Sequence, residues 1–429
     1  MSNWRKLRGV KSLVHDAVSA TATLVGEGND SAARTGVRLA SLVPGLAEPA
    51  ARVESMRKFS TEGVLLSVKA VNRLVQAASD LVLDVTEPAS LPTPPIPLRS
   101  DVQGTRTWAA DTLIGAVNGV VGDHLARRGN PLDMGMSLRW GAGEPPRVRP
   151  ARVALFVHGL AATEWSWALG SERLLGEAGA TFGTLLERDL GHLPLYARYN
   201  TGRHLSESGR ALCAALEELW RSLQSLPSAP GQPADAPTEL VLVGHSAGGL
   251  VCRSATLHAR QLHCTWLGSL RRVVCIGTPH QGAALERFGQ AVAEALHAVD
   301  LPATRIPAAL IRARSDGIRD LRHGDVREEG WRGRGEHERA PAEEVMADDL
   351  LPGVRYAFLA GAFLPRVPDG LGDLVGDLLV QVGSAEGPRD MRVPGALTAR
   401  FEGVHHNELQ VHPAVYDQVR RFCAGELDG

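Results

Sequence analysis

The sequence predicts an α/β protein built on a mostly parallel sheet covered by helices. Short unbroken apolar runs recur beyond residue 150, at 153–157, 239–243, 273–276 and 356–359, with a weaker one at 193–199. Helical segments separate them. Strands that are apolar without alternation are what a sheet buried on both faces requires. The run at 239–243 leads straight into Gly244-His245-Ser246-Ala247-Gly248-Gly249, a turn of small residues around one serine, and a helical stretch follows from Gly248. The length of 429 residues suits one elaborated α/β domain with an extension.

Residues 1–85 read as a helical N-terminal extension. Leu7, Val10, Val14 and Val18 recur at spacings of three and four, and Val64, Val68, Val71, Leu74, Val75, Ala78 and Val82 form a cleaner stripe. Prolines 88, 92, 94, 95 and 97 fix φ and remove amide donors, so 86–106 is a proline-rich linker. A further helix is expected over 107–127, ending at Gly129-Asn130-Pro131. The main domain then covers 107–429, with its core at 150–425 and a cap or lid at 285–350. Within that insertion, 312–348 is dense in arginine, glutamate, aspartate and glycine, and reads as a solvated excursion or as part of the cap.

Composition removes several function classes. A formal net charge of −2 provides no field to gather nucleic acid. Five dispersed cysteines, Cys213, Cys252, Cys264, Cys275 and Cys423, form neither a CxxC pair nor an even framework. They read as buried thiols of a reducing compartment. No run reaches the roughly 18 apolar residues of a membrane span. Arg5, Lys6, Arg8 and Lys11 precede a segment broken by His15 and Asp16, which makes a poor signal sequence, so the cytoplasm is the expected location. The same basic amphipathic start packs against the main domain or gives peripheral contact with a membrane surface.

The serine turn carries the chemistry. G-x-S-x-G between an apolar strand and a helix is the nucleophile elbow of the α/β-hydrolase fold. The bend is so tight that residues flanking the serine need almost no side chain, and Gly244 and Gly248 satisfy this. It lifts the Ser246 hydroxyl above the sheet and aims free helix amides at a developing oxyanion. His158-Gly159-Leu160 follows the first strong strand, so the amides of Leu160 and Ala247 are the expected oxyanion hole, with His158 shaping the loop. A serine hydroxyl also needs an imidazole base oriented by a carboxylate, in the chain order serine, acid, histidine. His405, His406 and His412 compete for the base; Asp369, Asp373 and Asp377 compete for the acid. No metal or organic cofactor is required, and no ligand cluster suggests one.

The chain resembles a bacterial α/β-hydrolase family related to triacylglycerol lipases and to the hydrolase domain of GPI inositol-deacylases. The matching segments are 157–160, 198–204, 244–249, 277–282 (Gly-Thr-Pro-His-Gln-Gly), 315–322, 375–380 and 406–416, with 118–125 before the sheet. The resemblance implies Asp377 as the acid, in Gly376-Asp377-Leu378-Leu379-Val380, where Leu378 stands at the family's usual glycine. It implies His406 as the base, in a His-x-x-Leu segment ahead of Pro413-Ala414-Val415-Tyr416. The expected function is hydrolysis of carboxylic esters, of lipid or acyl type, through Ser246, His406 and Asp377 and an acyl-enzyme. Thioester, amide and acyl-transfer chemistry are alternatives on the same triad, and a non-catalytic lipid-binding protein is the alternative from another class. The partner is a small-molecule ester or lipid.

Overall fold

A computed structural model of the chain describes residues 133–228, 238–280, 315–321, 323–332, 350–362 and 396–427, with Pro233, Gly282 and single positions between 115 and 129. The N-terminal extension, the proline-rich linker, Asp377 with its neighbours and most of the 285–350 insertion lie outside the described residues.

Seven strands make one sheet among the described residues: β1 (Met136–Trp140), β2 (Arg152–Val157), β3 (Leu193–Tyr199), β4 (Glu239–His245), β5 (Leu270–Ile276), β6 (Arg355–Ala362) and β7 (Leu397–Glu402). Their order is β1-β3-β2-β4-β5-β6-β7. Only β1 runs antiparallel to its neighbour. The helices described are α1 (Ser171–Leu175), α2 (Phe182–Leu190), α3 (Leu205–Gln224), α4 (Ala247–Leu262), α5 (Asp316–Leu321) and α6 (Pro413–Cys423).

The apolar runs become strands because both faces are covered. On β2, Val153, Leu155 and Val157 point into a core shared with Leu212, Leu216 and Trp220 of α3 and Leu250 and Val251 of α4. Ala154 and Phe156 point the other way, toward Phe182 and Leu186 of α2 and Val415, Val419 and Phe422 of α6. Each such side chain withdrawn from water contributes about 1.5–3 kcal/mol, on both faces at once. No alternation survives in the sequence for that reason. Cys252 and Cys275 are buried in the first core, as expected, and all five cysteines are free thiols.

Two strands were not foreseen. Among the described strands, β1 and β7 are the edges, and their residues are partly buried or exposed throughout. With a single neighbour each, they tolerate Arg139, Arg400 and Glu402 and carry no apolar signature. The charge-rich stretch from 312 also departs from a solvated excursion: Ser315, Asp320, Leu321 and Val326 are buried. Among its described residues, the buried carboxylates Asp316 and Asp320 are paired. Asp320 accepts hydrogen bonds from the Leu205 amide and the His204 ring, at 2.8 and 3.0 Å. Arg127 donates to Asp316 at 3.0 Å. Among the described residues, no helix is long and apolar enough to cross a membrane.

Candidate active site

The site forms at the carboxyl ends of β2 and β4. Ser246 stands between β4 and α4 with φ 54° and ψ −126°. A side chain in that region costs about 1–3 kcal/mol and persists only where its surroundings over-determine it. Here they do. The Ser246 amide donates to the Ile276 carbonyl at 2.8 Å, tying the bend to β5. A Cβ on Gly244 would lie 2.5 Å from the Gly249 backbone, and one on Gly248 would lie 2.2 Å from the Val157 carbonyl oxygen. Both glycines are therefore needed for closure, as the motif's spacing implied. The first amides of α4, starting with Ala247, have no carbonyl partner within the helix and face the end where the serine sits.

The loop after β2 passes over the serine. A Cβ on Gly159 would lie 3.0 Å from the Ser246 Cβ. This brings Leu160, the residue after it, to the elbow. His158 is fully buried, stacks on Tyr199 with ring centroids 4.5 Å apart, and donates from Nδ1 to the Gly159 carbonyl at 2.9 Å. The Tyr199 hydroxyl donates to the His158 carbonyl at 2.9 Å. Burial drives the His158 pKa down to about 4, so the ring is neutral at pH 7 and serves as a loop brace.

His406 and His405 separate clearly. His406 is buried and opens a short 3₁₀ turn, His406–Glu408. Its ring lies beside Gly277, where a Cβ would come 3.2 Å from Nδ1 and from Cε1, and its centroid is 4.8 Å from that of His245. His245, the residue before the serine, donates from Nε2 to the His406 carbonyl at 3.0 Å. His405 is less buried, and its Nδ1 accepts from the Asn407 amide as the cap of that turn. His412 caps α6 through Nδ1 in the same way. The acid Asp377 falls in the 363–395 interval between β6 and β7, outside the described residues, as do Asp369 and Asp373.

Several supporting residues carried no sequence signal of their role. The Thr278 hydroxyl oxygen sits 2.0 Å from where a Gly249 Cβ would be, so the Gly-Thr-Pro-His loop presses on the first turn of α4. Arg253, buried on α4, donates to His280 Nδ1 at 3.0 Å, and burial lowers its pKa to about 10. Among the described residues, no group of three His, Cys, Asp or Glu side chains is placed to hold a metal ion.

A mostly parallel sheet that delivers a strained serine into the first turn of a helix is the architecture of the α/β-hydrolase fold. Residues 151–309 match the family model of the PGAP1-like alpha/beta domain. That match takes in the motifs at 157–160, 198–204, 244–249 and 277–282, on which the resemblance was drawn. Among solved structures, the mature lipase BlEst2 of Bacillus licheniformis is 18% identical, with 68% of this chain and 96% of that one covered at a TM-score of 0.38. A hyperthermophilic esterase from the archaeon Pyrobaculum calidifontis is 13% identical, with 76% and 92% covered at a TM-score of 0.37. A putative aryl esterase from Burkholderia cenocepacia is 12% identical, with 68% and 95% covered at 0.35. No curated protein matches the chain.

Proposed function

We propose that the chain hydrolyses carboxylic esters, with lipid or acyl esters as the substrate class, using Ser246 as nucleophile, His406 as base and Asp377 as the acid that orients it. The observation that carries this reading is the Ser246 backbone itself. A non-glycine residue at φ 54° and ψ −126°, braced on three sides, is strain maintained at one hydroxyl. His406 takes the serine proton, the hydroxyl oxygen attacks the ester carbonyl, and the oxyanion is held by the amides of Leu160 and Ala247. His406 then protonates the leaving alcohol, and water activated by the same ring releases the acid. Each oxyanion donor contributes about 2.7–4 kcal/mol to the transition state. No cofactor enters these steps.

The test is Ser246→Ala, read by hydrolysis of a chain-length series of nitrophenyl esters and by labelling with a fluorophosphonate. The expected result is a folded protein with turnover lowered on the order of 10⁴-fold or more and no label. Undiminished turnover in this variant sinks the proposal. Adding thioester, amide, phospholipid and triacylglycerol substrates to the wild-type series separates the ester reading from its alternatives on the same triad.

A further inference from the structure

Among the described residues, three that are not glycine have positive φ: Ala161 at 57°, Ser246 at 54° and His263 at 52°. His263 ends α4 as a left-handed cap, a common way for a helix to stop. Ser246 is the elbow. Ala161 remains to be explained, and it directly follows Leu160, whose amide the esterase reading places in the oxyanion hole.

An alanine in the left-handed region is held at a cost, so something must hold it. The holder is Thr201. Its hydroxyl oxygen accepts the Ala161 amide proton at 3.0 Å, across forty positions of sequence. Thr201 is buried and sits in a turn that is itself fixed. The Asn200 side chain donates to the Gly122 carbonyl at 2.8 Å and to Asp133 at 2.7 Å, and it accepts the Gly202 amide at 3.0 Å. The Gly202 carbonyl in turn accepts the Gly317 amide at 3.1 Å. The space over Ala161 is also closed, since a Cβ on Gly119 would come 2.6 Å from the Ala161 Cβ.

We infer that Thr201 is a positioning residue for the oxyanion hole. Fixing the 160–161 peptide plane leaves only the two dihedrals of Leu160 between it and the Leu160 amide, which narrows that amide's direction before substrate arrives. An oxyanion donor stabilises charge only if it needs no reorganisation when that charge develops. His158 and Tyr199 brace the same loop on its β2 side, and Thr201 braces it on the far side. The inference rests on the esterase reading and adds to it a residue that never touches substrate.

The experiment compares wild type, Thr201→Val and Thr201→Ser with a short-chain nitrophenyl ester. Valine keeps the shape and removes the acceptor; serine keeps the acceptor. Thr201→Val is expected to lower kcat roughly 10-fold or more, within the roughly 10²-fold that a misplacement of about 1 Å brings. KM should stay within about twofold, fluorophosphonate labelling should slow in parallel, and serine should restore kcat. A folded Thr201→Val enzyme with kcat within about twofold of wild type overturns the inference. Hydrogen exchange of the Ala161 amide in wild type gives an answer even if the valine variant does not fold: protection is expected, and exchange as fast as an open loop overturns the hydrogen bond. If wild type and Ser246→Ala hydrolyse the ester equally, the esterase reading falls, and amide exchange in the Thr201 variants still decides whether Thr201 holds the loop.

Discussion

Lowering the pH should unlatch the loop over the serine, and the effect can be isolated at one residue. His158 is fully buried and neutral, with a folded-state pKa of about 4 set by desolvation. The unfolded chain binds a proton near pH 6.5. A base whose pKa is depressed by folding contributes stability that is complete above 6.5 and is lost as pH falls from there toward 4. From pH ~7.5 to ~5.5 the unfolded histidine goes from about one-tenth to about nine-tenths protonated while the folded one stays neutral, a loss of about 1 kcal/mol. Below pH ~4 the loss grows to about 3 kcal/mol. His192 is also buried and lowered to about 4, again by desolvation first, so it pushes wild-type stability the same way. His204 pushes the opposite way: burial opposes its charge, but Asp320 and Asp316 outweigh that and raise its pKa. A variant cancels both. His158→Asn keeps an amide able to donate to the Gly159 carbonyl and does not titrate. Urea unfolding of wild type and variant at both pH values should show their stability difference shrinking by about 1 kcal/mol at the lower pH. A difference that does not change with pH refutes the assignment of His158 as a buried neutral brace.

Two further predictions concern the site. His406→Asn should abolish ester turnover as Ser246→Ala does, whereas His405→Ala should keep it and lose only a cap, about 1 kcal/mol of stability by thermal unfolding; activity that tracks His405 instead reverses the assignment. Gly248→Ala places a methyl group 2.2 Å from the Val157 carbonyl oxygen, a backbone atom in the middle of the sheet. It should destabilise the fold by about 1–3 kcal/mol and suppress fluorophosphonate labelling, and normal labelling with an unchanged melting curve contradicts the packing described for the elbow.

What the sequence made legible divides by the range of the forces involved. Central strands could be read because burial on two faces leaves unbroken apolar runs such as Val153–Val157. Edge strands could not, because Met136–Trp140 and Leu397–Glu402 are only partly buried and interleave charged residues such as Arg139, which pairs with the buried Glu164, among their apolar ones. Ser246 could be read because its constraint is local: the glycines that permit the bend lie within two positions of it. His406 could not be told from His405 by spacing, since both precede the same turn; the family resemblance alone favoured one. Their surroundings differ in space: the His406 carbonyl accepts a hydrogen bond from His245 Nε2, 161 positions away, while the His405 ring accepts the Asn407 amide.

The same distinction explains the described residues of the charge-rich segment, between 315 and 332, and the Thr201 brace. Charge density predicts hydration only when no partner is near, and here the partners His204 and Arg127 come from segments more than a hundred residues upstream. The His204 pairing lets Asp320 be buried against the 200–204 turn, and the buried Ser315 hydroxyl donates to the Gly119 carbonyl. That turn then presents the Thr201 hydroxyl to Ala161. Strain at the elbow and strain at Ala161 therefore need different kinds of support. The first is contained in a six-residue motif and its two neighbouring strands. The second depends on a chain of contacts running from Arg127 through Asp316 and Gly317 to Gly202 and Thr201, so substitutions well outside the motif should reach the oxyanion loop through it.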